Sequence, residues 1–162
     1  MEPQFLCVHH RQFLSVNPCM ARRYWERCMQ EGQVFVTRSH YRAALPHFGS
    51  GFEIAMILLA NDCQPVQVQA GGCADVDRLV DAGHGTAACY RQLGQFHLEK
   101  NYLLTTYYAV LEAGEFVRGD QSAIYREAIS RALEKISEAS LAGYGLPGGD
   151  PTQSHVLSRA MH

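Results

Sequence analysis

Between Gly32 and Gly51 the chain sets Gly32, Phe35, Tyr41, Ala44, Phe48 and Gly51 at spacings of three, six, three, four and three. Two short helices folded back on each other need small residues where their backbones approach, and aromatic rings where a gap must be filled. Such a unit buries its apolar face only by stacking on neighbours. The periodicity predicts a helix from Ala21 to about Thr37, with Tyr24, Cys28, Gly32 and Phe35 on one stripe. Ser39 is the expected cap of the next helix, whose apolar positions Tyr41, Ala44, Leu45, Phe48, Phe52, Ala55, Met56 and Leu59 recur at three and four. Pro46 lies about two turns beyond that cap, so a local kink or a later helix start is expected. The pair reads as an antiparallel hairpin.

Upstream, residues 1 to 18 mix apolar clusters with polar residues and end at the turn signal Asn17-Pro18, which predicts an arm or a short separate element. Downstream, from Asn61 to Asp75, the pattern lapses through Cys63, Pro65, Gly71-Gly72 and Cys73, with Val66 and Val68 alternating between. A linker of that length is expected to be mobile or functional. Asp75 or Asp77 then opens a third helix with Val76, Leu79, Val80, Gly83, Ala87 and Tyr90 on one face, and with Asp75, Asp77 and Asp81 near its positive end. Leu93-Gly94 closes it. Phe96 begins a fourth, through Leu103, Thr106, Tyr107 and Val110 to Ala113-Gly114. Asp120 caps a fifth, in which Ile124, Ala128, Ile129, Ala132, Leu133 and Ile136 form an amphipathic stripe. No segment reads as a strand, so the expected class is all-α with about five main helices. The organisation is an arm over 1–18, a helical domain over 19–142 and a loose tail over 143–162.

Composition adds limits. Hydrophobic residues are 47% and charged residues 19% of the 162, enough for a self-sufficient core. The net charge of −2 is unevenly spread: residues 1 to 50 carry six Arg against three acids, and residues 51 to 120 carry four bases against nine acids. A partner can read that polarity. With a pI near 6.4 and only Lys100 and Lys135 as lysines, nucleic acid is not the expected ligand. His9, His10 and Arg11 interrupt the apolar residues near the start, so no signal peptide is expected. The apolar run Ile54 to Ala60 is far short of the ~20 residues of a membrane span. A cytoplasmic location follows as the expectation, with the six cysteines reduced and serving mostly as small core hydrophobes.

Chemistry finds little to stand on. The eight histidines and six cysteines include no Cys-x2-Cys or His-x3-His pair, and His40 and His47 lie seven apart, so no metal is expected. Neither a nucleophile elbow nor a phosphate-binding glycine loop is present, and no enzymatic activity or cofactor is expected. Tyr90, Tyr107 and Tyr108 offer an alternative: a helical bundle enclosing a small regulatory ligand. A homodimer built with Phe5 to Val16 as an exchange arm is another.

The small and aromatic positions of the hairpin resemble the tetratricopeptide repeat, a helix-turn-helix unit that stacks into a right-handed superhelix. A second unit is similar at Ala87, Tyr90, Gly94, Phe96 and Leu103, and Tyr125, Ala128 and Ala132 echo a third. The first two units stand 55 residues apart (87 minus 32) rather than the family's 34, and Glu99 replaces the family's second-helix alanine. The resemblance implies a protein or peptide partner held in a groove lined by first helices. Carried onto this chain, that face presents Met29, Gln33 and Val36, then His84, Ala88 and Arg91. An adaptor or chaperone-like module is the implied function. Size and repeats also resemble the helical-repeat chaperones of bacterial type III secretion, through Cys89-Tyr90-Arg91-Gln92-Leu93-Gly94-Gln95-Phe96.

Overall fold

The computed structural model describes residues 4–62, 75–115 and 121–143. The linker residues 63–74, the expected cap Asp120 and the tail beyond 143 lie outside the described residues. Within them the chain is all-α. Six helices follow one another: α1 (Val8–Ser15), α2 (Pro18–Thr37), α3 (Tyr41–Asp62), α4 (Asp75–Gln92), α5 (Phe96–Glu115) and α6 (Gln121–Gly143). The sixth, beyond the five expected, is α1.

Turn chemistry fixes the first hairpin. Pro18 starts α2, where its missing N–H costs nothing. At the other end, Ser39 N donates to Val36 O at 2.8 Å and His40 N to Phe35 O at 2.9 Å, with Ser39 at φ 58°. This is a Schellman closure, which places one residue in the left-handed region to satisfy the last carbonyls of a helix. Ser39 therefore terminates α2 and does not cap α3, which begins at Tyr41 and runs through Pro46 as one helix. α4 closes in the same way, with Gly94 at φ 71°, Gly94 N donating to Arg91 O at 3.0 Å and Gln95 N to Tyr90 O at 2.9 Å. Ser39 and Gly94 are 55 positions apart, as are Tyr41 and Phe96, the first residues of α3 and α5. The repeat seen in side-chain pattern is a repeat of backbone geometry.

Contacts set the directions of the helices. Gly32 meets Phe48 and Gly51 meets Met29, so α2 and α3 are antiparallel. In the second hairpin Gly83 meets Thr106, and Arg91 bonds Glu99. Arg22 of α2 bonds Asp75 of α4, and Arg78 of α4 lies over the Trp25 ring at 5.5 Å, so these two helices run parallel. α6 continues the series beside α4, with Arg131 donating to Asp77 and to Asp81.

α3 is the middle of the stack. It packs against α1, α2 and α4, and this explains why Ile54 and Leu58 are buried along with the expected Ala44, Phe48, Phe52, Ala55 and Leu59. Tyr41–Asn61 is long and apolar enough to cross a membrane, with mean hydropathy 1.4, and half of that stretch is buried inside the protein, as in a core helix. The short run Ile54–Ala60 understates this stretch, because Arg42 and Glu53 are the two Asp, Glu, Lys or Arg residues within Tyr41–Asn61. On α2 the buried stripe is Ala21, Trp25 and Gly32, while Tyr24, expected inside, is exposed. α6 buries Ala128, Ala132 and Ala139 and leaves the expected core residues Ile124 and Leu133 at the surface.

The expected backbone approach is realised around one ring. A Cβ on Gly32 would lie 3.0 Å from the Phe48 ring, and one on Gly85 of α4 would lie 2.6 Å from it. Phe48 is thus clasped between two helices that can come this close only because both positions lack a side chain. At the other end of the stack, Asp75 is buried and accepts Arg22 Nη2 at 2.7 Å and Arg78 Nη1 at 2.7 Å. A carboxylate this deep is tolerated because two guanidinium groups neutralise it.

Candidate functional site

The six expected binding residues fall into three pairs, each 55 positions apart: Met29 with His84, Gln33 with Ala88, and Val36 with Arg91. Since α2 and α4 run parallel and share that register, the pairs occupy equivalent positions on adjacent helices. Gln33 and Ala88 are exposed, and the other four are half-buried. Immediately before each exposed residue sits a buried one, Gly32 and Ala87. The same edge of both helices is therefore left open.

The half-buried four are held differently. Met29 and Val36 pack on the cluster of Ala44, Phe48 and Cys89, which joins α2, α3 and α4. Arg91 donates through Nε to Glu99 Oε1 at 2.6 Å, and Glu99 is only 3% exposed. The equivalent residues of the first hairpin are Val36 and Ala44, an apolar contact where the second hairpin has an ion pair. Glu99, the departure from the alanine pattern, has its cation supplied by the position that changed with it. Arg91 is consequently tied to the fold through Nε, and the groove role expected for its guanidinium is shared with a structural one.

His84 faces α6. Its Nε2 is buried without a hydrogen-bond partner among the described residues. Burial, then the positive charges of Lys135 and Arg131, push the imidazole down to about 4, against an opposing pull from Glu138. It is neutral at pH 7. Lys135 bonds Glu138 at 2.7 Å and holds that carboxyl below its ordinary range, with Arg91 and His84 contributing. α6 thus lays a polar array along the outer side of α4, and Ala88, one turn on from His84, lies on that same side of the helix.

The tyrosine alternative is separated by the fold. Tyr90 is buried and stacks on Tyr102 at 5.4 Å, which meets Phe52 edge-on at 5.2 Å. Tyr108 instead lines a shallow surface depression with Met56, Leu104, Thr105, Ala109 and Glu112, and Tyr90 and Tyr107 are not among its walls. Tyr107 and Tyr108 meet each other at 5.3 Å, as a pair separate from the Tyr90–Tyr102 stack.

Among the described residues no three His, Cys, Asp or Glu side chains converge on a metal position. His47 accepts a different role, stacked on Phe35 at 5.3 Å and 3.1 Å from Glu31. Of the four described cysteines, all free, Cys89 alone is fully in the core, where burial pushes its thiol up to about 11. Cys28 is half-buried, and Cys7 and Cys19 are exposed, which corrects the expectation of mostly internal thiols. Sequence reasoning also missed Glu53. This α3 carboxylate accepts Phe5 N at 2.8 Å, Leu6 N at 3.1 Å and Arg11 Nη2 at 2.8 Å. No local signal marks a partner 48 residues away.

No protein-family model matches the chain, and neither the curated proteins nor the solved structures hold a match to it.

Proposed function

We propose that the protein is a tetratricopeptide-like adaptor or chaperone module that holds an extended protein segment along the shared edge of α2 and α4, in the cytoplasm and without chemistry of its own. One observation carries this reading: Gln33 and Ala88, equivalent residues of two parallel helices, are both open to solvent beside buried small neighbours. Around them Met29 and Val36 present apolar surface and Gln33 an amide, a combination that suits one side chain and one peptide bond of an extended chain. An edge repeated at a regular interval matches the regular repeat of an extended backbone.

Selection from a random peptide library displayed on phage tests the reading. The wild-type protein should enrich a related set of sequences. Gln33→Arg with Ala88→Arg should weaken the selected peptides roughly tenfold or more, equivalent to about 1.4 kcal/mol, and should leave the melting temperature in place because both residues are exposed. Arg substitutions at Asn101 and Thr105, on the far side of α5, serve as the control. Peptide binding that survives the first pair and fails with the second would move the site and refute the proposal.

A further inference from the structure

Residues 4 to 15 are attached to the rest of the molecule by a set of contacts that all belong to other elements, chiefly α3. Phe5 and Leu6 donate their backbone N–H groups to the two oxygens of Glu53, and Arg11 closes on the same carboxylate. The Phe5 ring lies where a side chain on Gly49 would be, so the glycine forms its seat. Asn61 Nδ2 donates to Ser15 O at 2.9 Å, and Leu14, at 2% exposure, is the one residue of α1 buried in the core. α3 therefore carries a built receptor for an extended aromatic segment followed by a short helix: a glycine cradle, a carboxylate aimed at two successive N–H groups, and an amide at the far end.

The occupant is joined to the body through Val16 and Asn17 alone. That connection is closed by Asn17 N donating to Leu14 O at 3.2 Å and by Asn17 Nδ2 donating to Phe13 O at 2.8 Å. Pro18 stops α1 from running on into α2. None of the receptor contacts depends on which copy of the chain supplies the segment. Meanwhile Val8, Phe13, Val16, Met20 and Tyr24, clustered on both sides of the connection, stay exposed. They are five of the ten large apolar side chains exposed among the described residues.

We propose that residues 4 to 15 exchange between two copies of this chain, each docking on the Gly49–Glu53–Asn61 site of the other, with the apolar residues around Val16 meeting across the two-fold axis. Exchange of an identical element reproduces every contact of the closed form at little cost. Tethering sets the balance: a short link gives an effective concentration of the order of mM, so exchange alone would give dimers only near that concentration. Burial of Phe13, Val16, Met20 and Tyr24 between copies lowers that midpoint, by roughly tenfold for each side chain that is well buried. Because the site lies on α3, this proposal stands or falls separately from the α2–α4 edge.

The test places photoreactive benzoylphenylalanine at Phe5 in the full chain and mixes 14N and 15N copies before illumination. Mixed-isotope crosslinks from residue 5 to the Gly49 region are expected, together with a mass of twice 18.1 kDa in light scattering of the unmodified protein. Phe13→Ser, at a residue 48% exposed and outside the receptor, should raise the dimerisation midpoint tenfold or more without altering helicity. Single-isotope crosslinks only, up to the solubility limit, would overturn the proposal. A dimer without mixed crosslinks at residue 5 would overturn it as well, since the copies would then meet elsewhere.

Discussion

Gly85→Ala should destabilise the protein, although alanine is the better helix former. In an open helix interior that exchange gains about 1 kcal/mol. Here the new Cβ would stand 2.6 Å, 2.9 Å and 3.0 Å from three atoms of the Phe48 ring. The ring can retreat only a little way toward Gly32, where its other end lies 3.0 Å from the position a Cβ would take. Overpacking of this kind costs about 1–3 kcal/mol, so the net loss is about 1 kcal/mol, with Gly32→Ala nearer to neutral. The two alanines together should lose more than their sum, because each blocks the retreat the other requires. Phe48→Leu removes the clamp, and in that background each alanine should stabilise by up to about 1 kcal/mol. Urea denaturation followed by far-UV circular dichroism, on the six single and combined variants, measures the coupling directly. If Gly85→Ala stabilises equally with Phe48 and with Leu at position 48, the ring is not clasped and the packing argument for the hairpin fails.

The two Schellman turns give opposite expectations: Ser39→Gly should stabilise by about 0.5–1 kcal/mol and Gly94→Ala should destabilise by about 1 kcal/mol, since both sites have positive φ. Thermal denaturation checks the pair, and shifts of the same sign would show that the turns are not equivalent. His84 should impose an acid sensitivity. Its folded pKa of about 4 lies below the ordinary 6.5, so the unfolded chain takes up the extra proton, and stability complete above about pH 6.5 declines as pH falls toward 4. Partial solvent access holds the loss to about 1–2 kcal/mol. His84→Gln should remove that component, so the difference between the two urea midpoints must narrow on acidification; a constant difference would refute the assignment.

Much of the hairpin architecture was legible because it rests on local spacing. Gly32, Ala44 and Phe48 announce themselves through small and aromatic residues at helical intervals, and Gly94 through its terminal position. Neighbouring residues on a helix differ by only about 100°, which is why Tyr24 was expected where Trp25 is buried. Ser39 was misread because a serine before a helix usually caps it, whereas the hydrogen bonds show it ending the helix before. α3 carries little amphipathic contrast, being covered on several sides, so Ile54 and Leu58 had no stripe to join. Gly85 and Glu53 act on residues far away in sequence, Phe48 and Phe5, and nothing in their own surroundings reveals it. On the candidate edge the spacing of 55 relates the pairs, but whether a member is open, as Gln33 and Ala88 are, or engaged, as Arg91 is, depends on tertiary partners.

The exchange of Val36 and Ala44 in one hairpin for Arg91 and Glu99 in the other makes these positions a single unit of change. Converting Arg91 alone to valine strands a carboxylate in the interior, and converting Glu99 alone to alanine frees a guanidinium toward the open edge. Either half-step alters the exposed surface as well as the fold beneath it. A designer lengthening this stack by copying its second hairpin must therefore transplant both residues at once, or neither.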